Sequence, residues 1–402
     1  MIREDMIKIT EYNLKGKLPD PFLFDDGKKV RTVDDWEKRR EEIYKTAVDL
    51  QYGGEVPKPE VFSVEPLYIG KSNPASYRIT AGREGKTLSF TMYVFKASTA
   101  EKLPSVITGD MCFPYPFNPE YVKAFTDNKI NLVAFNRTEL FPDIAEYNLS
   151  GVIKDTNEYR DMNKVVDSFN DGKRLGALSE VYPEYKFGAI SAWAWGYSRC
   201  TDALEYLGFA DMDCIAFTGH SRGGKTAMLA GAVDKRAAIV NPNAACAGGC
   251  SCYRLQIKAV KEDGAEAVSE PISNIFHHFP LWMGEGMREY IDNEENLPFD
   301  SHYLKAMVAP RVLFVSEAAS DIMSNPVGSW QTTMGAKEVY KFLGCEENLL
   351  WYFRSGGHAH ANEDLLQLVN VIRHYKFGDE LNDKYFELPF KAPELAFDFR
   401  AE

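Results

Sequence analysis

The sequence predicts an α/β fold: a three-layer sandwich in which helices cover both faces of a mostly parallel sheet. Two apolar stretches, residues 77–80 and 86–95, flank an Ala-Gly-Arg-Glu-Gly turn and indicate an N-terminal antiparallel hairpin. After the hairpin, short apolar strands alternate with stretches whose apolar residues recur at helical spacing. A hairpin followed by strand–helix alternation is typical of a mixed sheet that is mostly parallel.

The predicted elements follow one another along the chain. Helices are expected at residues 33–48, 189–207 and 222–232, and the later strands at residues 104–108, 131–135, 214–218, 237–240, 311–315 and 349–353. In open parallel sheets, ligands bind beyond the carboxyl ends of the strands. The residues that carry chemistry are therefore expected in the loops that follow Thr218, Val240, Val315 and Phe353.

Length and charge limit the classes of protein that this chain can be. Of its 402 residues, 45% are hydrophobic, enough to bury one large core. We expect a single domain over residues 1–402, with an N-terminal extension of about 70 residues. The net charge of -13 at pH 7 repels phosphate backbones and anionic lipids, which disfavours nucleic acid and membranes as partners. A monomer is expected.

The first residues of the chain bear on its location. Residues 1–21 contain neither the apolar core nor the small-residue cleavage site of a signal peptide. A membrane-spanning run of about 18 apolar residues occurs nowhere in the sequence. The chain as numbered is therefore expected in the cytoplasm, or outside the cell if a leader was removed.

The cysteines raise the question of a metal site. The sequence has 7 cysteines, of which Cys246, Cys250 and Cys252 lie close together. No suitably spaced Cys/His pair nearby completes a four-ligand zinc set. We therefore interpret the three as small buried residues in a glycine-rich turn. Neither a metal nor a cofactor is expected.

The turn between strand 214–218 and helix 222–232 reads Gly219-His220-Ser221-Arg222-Gly223, a G-x-S-x-G pattern. In the nucleophile elbow of α/β-hydrolases, a sharp, strained turn with this pattern exposes the serine hydroxyl at the sheet edge. The neighbouring residues must be small, and two glycines meet that demand. The N–H groups that begin the next helix face the same space and would stabilise an oxyanion. Ser221 is therefore predicted to be the nucleophile of a serine esterase.

A serine nucleophile needs a base, and in this fold the acid and then the histidine follow the serine along the chain. The last predicted strand leads directly into Arg354-Ser-Gly-Gly-His358-Ala-His360. We favour His358 as the base because the two glycines before it let the loop turn back over the site. His360 is the alternative.

The acid must hold the imidazole in one tautomer and stabilise its cation. The strand at 311–315 is followed by Ser316-Glu317-Ala-Ala-Ser-Asp321. We favour Asp321, although an aspartate at this position could also cap a turn. Glu317 is the alternative, but it lies so near the strand end that it could instead be a buried supporting carboxylate.

The elbow continues as Gly219-His220-Ser221-Arg222-Gly223-Gly224-Lys225-Thr226-Ala227, which resembles the G-C/H-S-R-x-G-K-x-A signature of glucuronoyl esterases, carbohydrate esterase family 15. Further similar stretches are Leu18-Pro-Asp-Pro-Phe22, Ala192-Trp-Ala-Trp-Gly196, Phe279-Pro-Leu-Trp282, Leu297-Pro-Phe-Asp300-Ser-His302, Ala309-Pro-Arg311 and Gly356-Gly-His358-Ala-His360. The resemblance covers nearly the whole chain. It implies an α/β-hydrolase that cleaves the ester between (4-O-methyl-)glucuronic acid on xylan and lignin alcohols, without a metal.

The resemblance also implies roles for residues in and around the elbow. Ser221 would be the nucleophile, and the side chain of Arg222 would join the oxyanion hole. Three further residues would bind the substrate: Lys225, Glu270 and Trp282. The expected ligand is a small-molecule or oligosaccharide ester of a uronic acid.

Two positions depart from the family pattern. Ala244 occupies the place where many members carry an early acidic Glu, and Met323 replaces a Trp that packs on the sugar. Some bacterial members instead carry the acid where Asp321 stands. Two other functions stay open: an acetyl-carbohydrate deacetylase or general carboxylesterase, and a degenerate homologue that binds carbohydrate without turnover.

Overall fold

A nine-stranded mixed sheet is the centre of the protein in a computed structural model, which describes residues 8–70, 74–98, 100–113, 115–143, 177–260, 264–381, 385 and 387–401. The described strands are β1 (Lys8–Leu14), β2 (Val61–Tyr68), β3 (Ala75–Arg83), β4 (Lys86–Phe95), β5 (Leu103–Thr108), β6 (Asn131–Phe135), β7 (Ala210–His220), β8 (Ala237–Asn243), β9 (Leu255–Val260), β10 (Glu266–Val268), β11 (Val312–Ala318) and β12 (Leu349–Arg354). The large sheet has the order β12-β11-β8-β7-β5-β6-β4-β3-β2.

The sheet has a parallel part and an antiparallel part. Strands from β12 to β6 in this order are mutually parallel, whereas β4, β3 and β2 continue the sheet antiparallel. The predicted fold class, a mostly parallel sheet with an N-terminal antiparallel hairpin, is thus confirmed. β4, β6 and the helix Ala189–Leu207 have the predicted bounds, and the other predicted strands extend further at one or both ends.

Four strands were not predicted. β2 pairs with β3 and forms the edge of the large sheet, where six of its eight residues are exposed. β1, β9 and β10 form a separate three-stranded antiparallel sheet, in which Tyr12 lies opposite Ile257. β1 and β2 are mostly solvent-exposed, so their sequences lack the apolar run that indicates a buried strand.

The helices pack on the sheet and connect its strands. The described α-helices are Val33–Tyr44, Pro119–Thr126, Ala177–Val181, Ala189–Leu207, Arg222–Val233, Ile272–His278, Ser301–Ala306, Pro326–Phe342 and Asn362–Phe377. Ala189–Leu207 is apolar on most sides and is buried along most of its length, as expected of a helix inside the core. The predicted helix at 33–48 is an α-helix only to Tyr44, and it continues as a π-helix over Lys45–Leu50.

Two negative findings concern only the part of the chain that the structure describes. No helix there is both long and apolar enough to cross a membrane. No group of three or more His, Cys, Asp or Glu side chains there is arranged to hold a metal ion. Cys246, Cys250 and Cys252 are buried, with free thiols.

The helix that follows the elbow packs closely on β8. A Cβ atom placed on Gly231 would collide with the side chain of Val240. In a helix interior, alanine is more favourable than glycine by about 1 kcal/mol. Overpacking a core, however, costs about 1–3 kcal/mol. We expect Gly231→Ala to lower the free energy of unfolding, measured by chemical denaturation. Val240→Ala should reverse part of that loss in the double variant, and purely additive effects would contradict this account.

Candidate active site

Ser221 lies at the carboxyl end of β7 in a strained backbone conformation. Its φ is 57° and its ψ is -118°, and it is the N-cap of the helix Arg222–Val233. A non-glycine residue in such a region costs about 1–3 kcal/mol. Two hydrogen bonds hold it there: Ser221 N–H donates to the Asn243 carbonyl at 2.9 Å, and Lys225 N–H donates to the Ser221 carbonyl at 2.9 Å.

The two glycines of the elbow are required by close approach. A Cβ atom on Gly219 would overlap the backbone of Gly223, and a Cβ atom on Gly223 would overlap the carboxylate of Asp110. Asp110 follows β5, is fully buried, and accepts the N–H of His220 at 2.8 Å. It also pairs with Arg137 and accepts the Tyr115 hydroxyl. The sequence gives only one signal for Asp110, its position just after a predicted strand, and no role was predicted for it.

The predicted acid and one of the two candidate bases are in contact. Nδ1 of His358 and Oδ2 of Asp321 are 2.6 Å apart. The two loops that carry them are joined by backbone hydrogen bonds, from Ala319 N–H to the Arg354 carbonyl (2.8 Å) and from Ser320 N–H to the Gly356 carbonyl (2.9 Å). β11 and β12 are neighbouring parallel strands, so the loops that carry the pair lie together at the carboxyl ends of the strands.

The environment of Asp321 keeps its carboxylate ionised. Only 4% of the residue is exposed. Burial alone would raise its pKa, but the hydrogen bonds and charge of His358 and the hydrogen bonds from Ser324 outweigh burial, and the pKa of Asp321 is lowered. A buried, ionised carboxylate bonded to Nδ1 leaves Nε2 of the imidazole as the nitrogen that can accept a proton.

His358 lies against the elbow, whereas His360 packs among aromatic rings. The ring centroids of His358 and His220 are 4.6 Å apart. His360 contacts Tyr115 and Tyr121 edge-on, at 5.4 and 5.9 Å between centroids, and its ring nitrogens have no hydrogen-bond partner among the described residues. Burial lowers the pKa of His360 well below its usual range, so its ring is neutral. The structure therefore brings Asp321 together with His358 and not with His360.

The ring of His220 packs against the ring of His358. Its Nδ1 lies 2.6 Å from Oδ1 of Asn243. Burial, followed by the charge of His358, lowers the pKa of His220 to about 4. The imidazole beside the candidate base therefore carries no charge at neutral pH.

Glu317, the alternative acid, is held in a different way. It is 1% exposed on β11, and its Oε1 accepts the Ser329 hydroxyl at 2.7 Å. Burial raises the pKa of Glu317 and outweighs the opposing effects of the Ser329 hydrogen bond and the Lys305 charge, so the neutral form of the carboxyl is favoured relative to an exposed glutamate. A neutral carboxylic acid cannot stabilise an imidazolium as a carboxylate does.

The guanidinium of Arg222 is fixed beside the nucleophile. Phe279 and Trp282 stack with 3.7 Å between centroids, and the guanidinium carbon lies 4.8 Å from each centroid. Asp143 accepts from Nη1 of Arg222 at 2.9 Å and from the indole N–H of Trp282 at 3.1 Å. Asp143 and Phe279 received no role from sequence reasoning, because the contact depends on elements that are distant along the chain.

The three predicted substrate-binding residues lie close together. Nζ of Lys225 is 3.3 Å from Oε2 of Glu270 and 5.8 Å from the centroid of Trp282. Lys225 also donates to the Ala245 carbonyl at 3.0 Å and is only 1% exposed. Without the family resemblance, Lys225 would be interpreted as a solvated helix residue. That interpretation is wrong, because the chain buries this ammonium group beside a carboxylate.

Of the two departures from the family pattern, Ala244 precedes a residue that bonds to Lys225, and Met323 bonds to Glu270. Ala244 has a φ of 43°, is buried, and donates its N–H to the Ser316 carbonyl at 2.9 Å. Met323 is 44% exposed, and its carbonyl accepts the N–H of Glu270 at 3.1 Å. Met323 thus belongs to the loop that carries Asp321 and also contacts the cluster of Lys225 and Glu270.

Known proteins resemble the chain along most of its length. A family model described as "Glucuronyl esterase, fungi" matches residues 79–344. The 4-O-methyl-glucuronoyl methylesterase of Schizophyllum commune (strain H4-8 / FGSC 9210) is 29% identical over 380 residues, which cover 92% of this chain and 85% of that protein. A protein of the same name from Thermothelomyces thermophilus is 30% identical over 368 residues, covering 89% of this chain and 81% of the other.

A solved structure gives the same result. A carbohydrate esterase family 15 glucuronoyl esterase from Caldicellulosiruptor kristjansonii superposes with a TM-score of 0.79 at 27% sequence identity. The match covers 96% of this chain and 97% of that one.

A pair of amide variants distinguishes whether Asp321 or Glu317 is the acid that supports the base. We expect Asp321→Asn to keep the fold and to lower kcat for ester hydrolysis by about 1,000- to 10,000-fold, because an amide can neither hold the imidazole tautomer nor stabilise its cation. Glu317→Gln should stay within a few-fold of the parent, since the described hydrogen bonds join Glu317 to Ser329, whereas Asp321 is the carboxyl bonded to His358. Steady-state kinetics with circular dichroism would measure both, and the reverse ranking would assign the acid to Glu317.

Proposed function

Because the chain belongs to the glucuronoyl esterases, carbohydrate esterase family 15, whose members are hydrolases of carboxylic ester bonds, we propose that it hydrolyses a carbohydrate ester through an acyl-enzyme on Ser221. The preferred substrate is a (4-O-methyl-)glucuronoyl ester of a xylan-derived or lignin-linked sugar. One observation carries the proposal: the contact of 2.6 Å between Asp321 and His358, packed beside the strained elbow.

The first half of the reaction forms the acyl-enzyme. The hydroxyl of Ser221 attacks the carbonyl carbon of the ester, and Nε2 of His358 accepts the hydroxyl proton. Asp321, bonded to Nδ1, stabilises the imidazolium that results. His358 then returns the proton to the leaving oxygen, so that the alcohol departs and the uronoyl group stays on Ser221.

The oxyanion is stabilised by donors that are fixed before the substrate arrives. Arg222 is held between the aromatic pair and Asp143 and can reach the developing charge with little reorganisation. The free N–H groups at the start of the helix Arg222–Val233 face the same space. A charge-assisted donor in a partly buried site contributes more than one in water.

The group of Lys225, Glu270 and Trp282 suits a sugar. A buried ammonium and carboxylate, 3.3 Å apart, offer both donors and acceptors to vicinal hydroxyls. The indole of Trp282 adds an apolar face. Since Lys225 lies one helical turn after Ser221, a sugar that binds there would place its own carboxyl-derived ester near the nucleophile.

The second half of the reaction releases the acid. Water attacks the acyl-enzyme, His358 accepts the water proton, and that proton then returns to the serine oxygen. The net reaction converts one ester and one water into a uronic acid and an alcohol. The uronate product is anionic, and the cations of Arg222 and Lys225 would interact with it more strongly than with the neutral ester.

The nucleophile is tested by its removal. We expect Ser221→Ala to lower the hydrolysis of methyl glucuronate by at least about 10,000-fold without loss of the fold, because the variant lacks the hydroxyl that is proposed to form the acyl-enzyme. Liberated methanol and thermal unfolding would be measured on the same samples. Hydrolysis that survives in Ser221→Ala would eliminate Ser221 as the nucleophile, and a parent protein that hydrolyses no ester would indicate a binding homologue.

Met323 offers a test of substrate class. We expect Met323→Trp to lower the KM for methyl glucuronate several-fold with kcat nearly unchanged, because an aromatic face beside Glu270 adds uniform binding to the sugar. Met323→Leu is the control of similar size without the ring. If the parent hydrolysed an aryl acetate orders of magnitude faster than methyl glucuronate, and if Met323→Trp left that ratio unchanged, the deacetylase or general carboxylesterase function would replace the glucuronoyl one.

A further inference from the structure

We propose that Ser324 is a positioning residue for the triad, whose hydroxyl directs the Asp321 carboxylate toward His358 and sets how tightly the pair holds a proton. The inference rests on the esterase function proposed above. It concerns a residue that neither the elbow pattern nor the family signature includes. Ser324 acts through Asp321 and does not itself touch the substrate.

Four contacts place Ser324 behind the acid. Its hydroxyl donates to Oδ2 of Asp321, and its backbone N–H donates to Oδ1 of the same carboxylate at 3.4 Å. The same hydroxyl oxygen is 3.3 Å from Nδ1 of His358 and 3.0 Å from Sγ of Cys246. Ser324 has no exposed surface, so no water competes for these bonds.

The hydroxyl has one proton, which fixes the direction of the network. Because that proton goes to the Asp321 carboxylate, the Ser324 oxygen can only accept from the Cys246 thiol, whose proton also has the Ala244 carbonyl within reach at 3.3 Å. The His358 Nδ1–H donates to the same Oδ2. The Ser324 hydroxyl and the imidazole therefore both donate to one carboxylate oxygen.

This second donor changes what the carboxylate does. A hydrogen bond to a carboxylate stabilises its charged form and makes it a weaker base. A carboxylate that has lost the Ser324 donor would hold the imidazolium more tightly. Since His358 must be neutral to accept the Ser221 proton, the loss would move the onset of activity to higher pH.

The loop does not depend on the Ser324 hydroxyl for its shape. Besides the backbone bonds to the His358 loop, the amide of Asn325 donates to the Leu255 carbonyl at 2.6 Å and accepts the Gly328 N–H at 2.8 Å. Removal of one hydroxyl thus leaves the acid loop anchored on both sides. The expected effect falls on the orientation and basicity of the carboxylate.

The chain offers a matched control. Ser329 is also buried, and its hydroxyl donates to the carboxyl of Glu317 at 2.7 Å. Glu317 and Asp321 therefore each receive one buried serine hydroxyl, but only Asp321 bonds to His358. Titratable groups around the pair are His220 from the elbow, His360 from the same loop, Glu317 from β11 and Cys246 from the loop after β8. Ser324→Ala also removes the contact with the Cys246 thiol, and Ser329→Ala removes the hydrogen bond to Glu317, so each variant changes the surroundings of one of these groups.

The test is the pH profile of kcat/KM for methyl glucuronate in the parent, Ser324→Ala, Ser324→Thr and Ser329→Ala. We expect Ser324→Ala to shift the acidic limb upward by about half to one pH unit and to lower kcat about tenfold, with KM little changed. Ser324→Thr retains the hydroxyl and should restore the parental limb. Ser329→Ala should keep it.

Two results would overturn the inference: a Ser324→Ala profile that overlays the parent, or an equal shift in Ser329→Ala. Should Ser324→Ala not fold, Ser324→Gly removes the same hydroxyl and is judged by the same criteria. The esterase function is judged separately, by parental hydrolysis that Ser221→Ala abolishes. If that result holds while the Ser324 profile does not move, only the positioning role fails.

Discussion

The strained backbone at Ser221 is the constraint on which the rest of the site depends. Residues at such φ and ψ values persist only when their surroundings hold them there. In this protein the restraint comes from β8 through the Asn243 carbonyl and from β5 through Asp110, which binds the His220 N–H and leaves no room for a side chain at Gly223. Three parallel strands thus converge on one turn.

Asp110, which restrains the elbow, also begins a row of ion pairs that leads to Arg222. Asp110 pairs with Arg137, Nη2 of Arg137 lies 3.6 Å from Asp143, and Asp143 binds Arg222. Charges alternate in sign along this row, so each buried charge has an opposite neighbour. The residue that holds the elbow is therefore connected to the residue proposed for the oxyanion hole.

Two neighbouring carboxyls are both buried but differ in the donors that surround them. Glu317 and Asp321 leave the same strand end and are both nearly inaccessible. Burial raises the pKa of Glu317, whereas at Asp321 the donors from His358 and Ser324 outweigh burial and lower the pKa. Proximity to the histidine loop, and not burial itself, separates the two carboxyls in chemistry.

The sequence predicted the parts of the structure that are encoded locally. Buried strands and the elbow each leave a pattern within a few residues. Asp110 and Asp143 leave none, because their partners come from distant segments. Ser324 lies only three residues from Asp321, and its position gains a role only because the fold brings Asp321 into contact with His358. The exposed strands β1 and β2 were missed for a related reason: they are held by pairing, and an apolar run is not needed for that.

The adjacency of β8 and β11 brings the loops after both strands together. Asn243 lies opposite Ser316, and Cys246 of one loop touches Ser324 of the other. The loop after β11 carries Asp321, whereas the loop after β8 begins with Ala244, whose N–H donates to the Ser316 carbonyl. A carboxylate introduced on the loop after β8 would therefore enter the site from a strand next to the one that leads to Asp321.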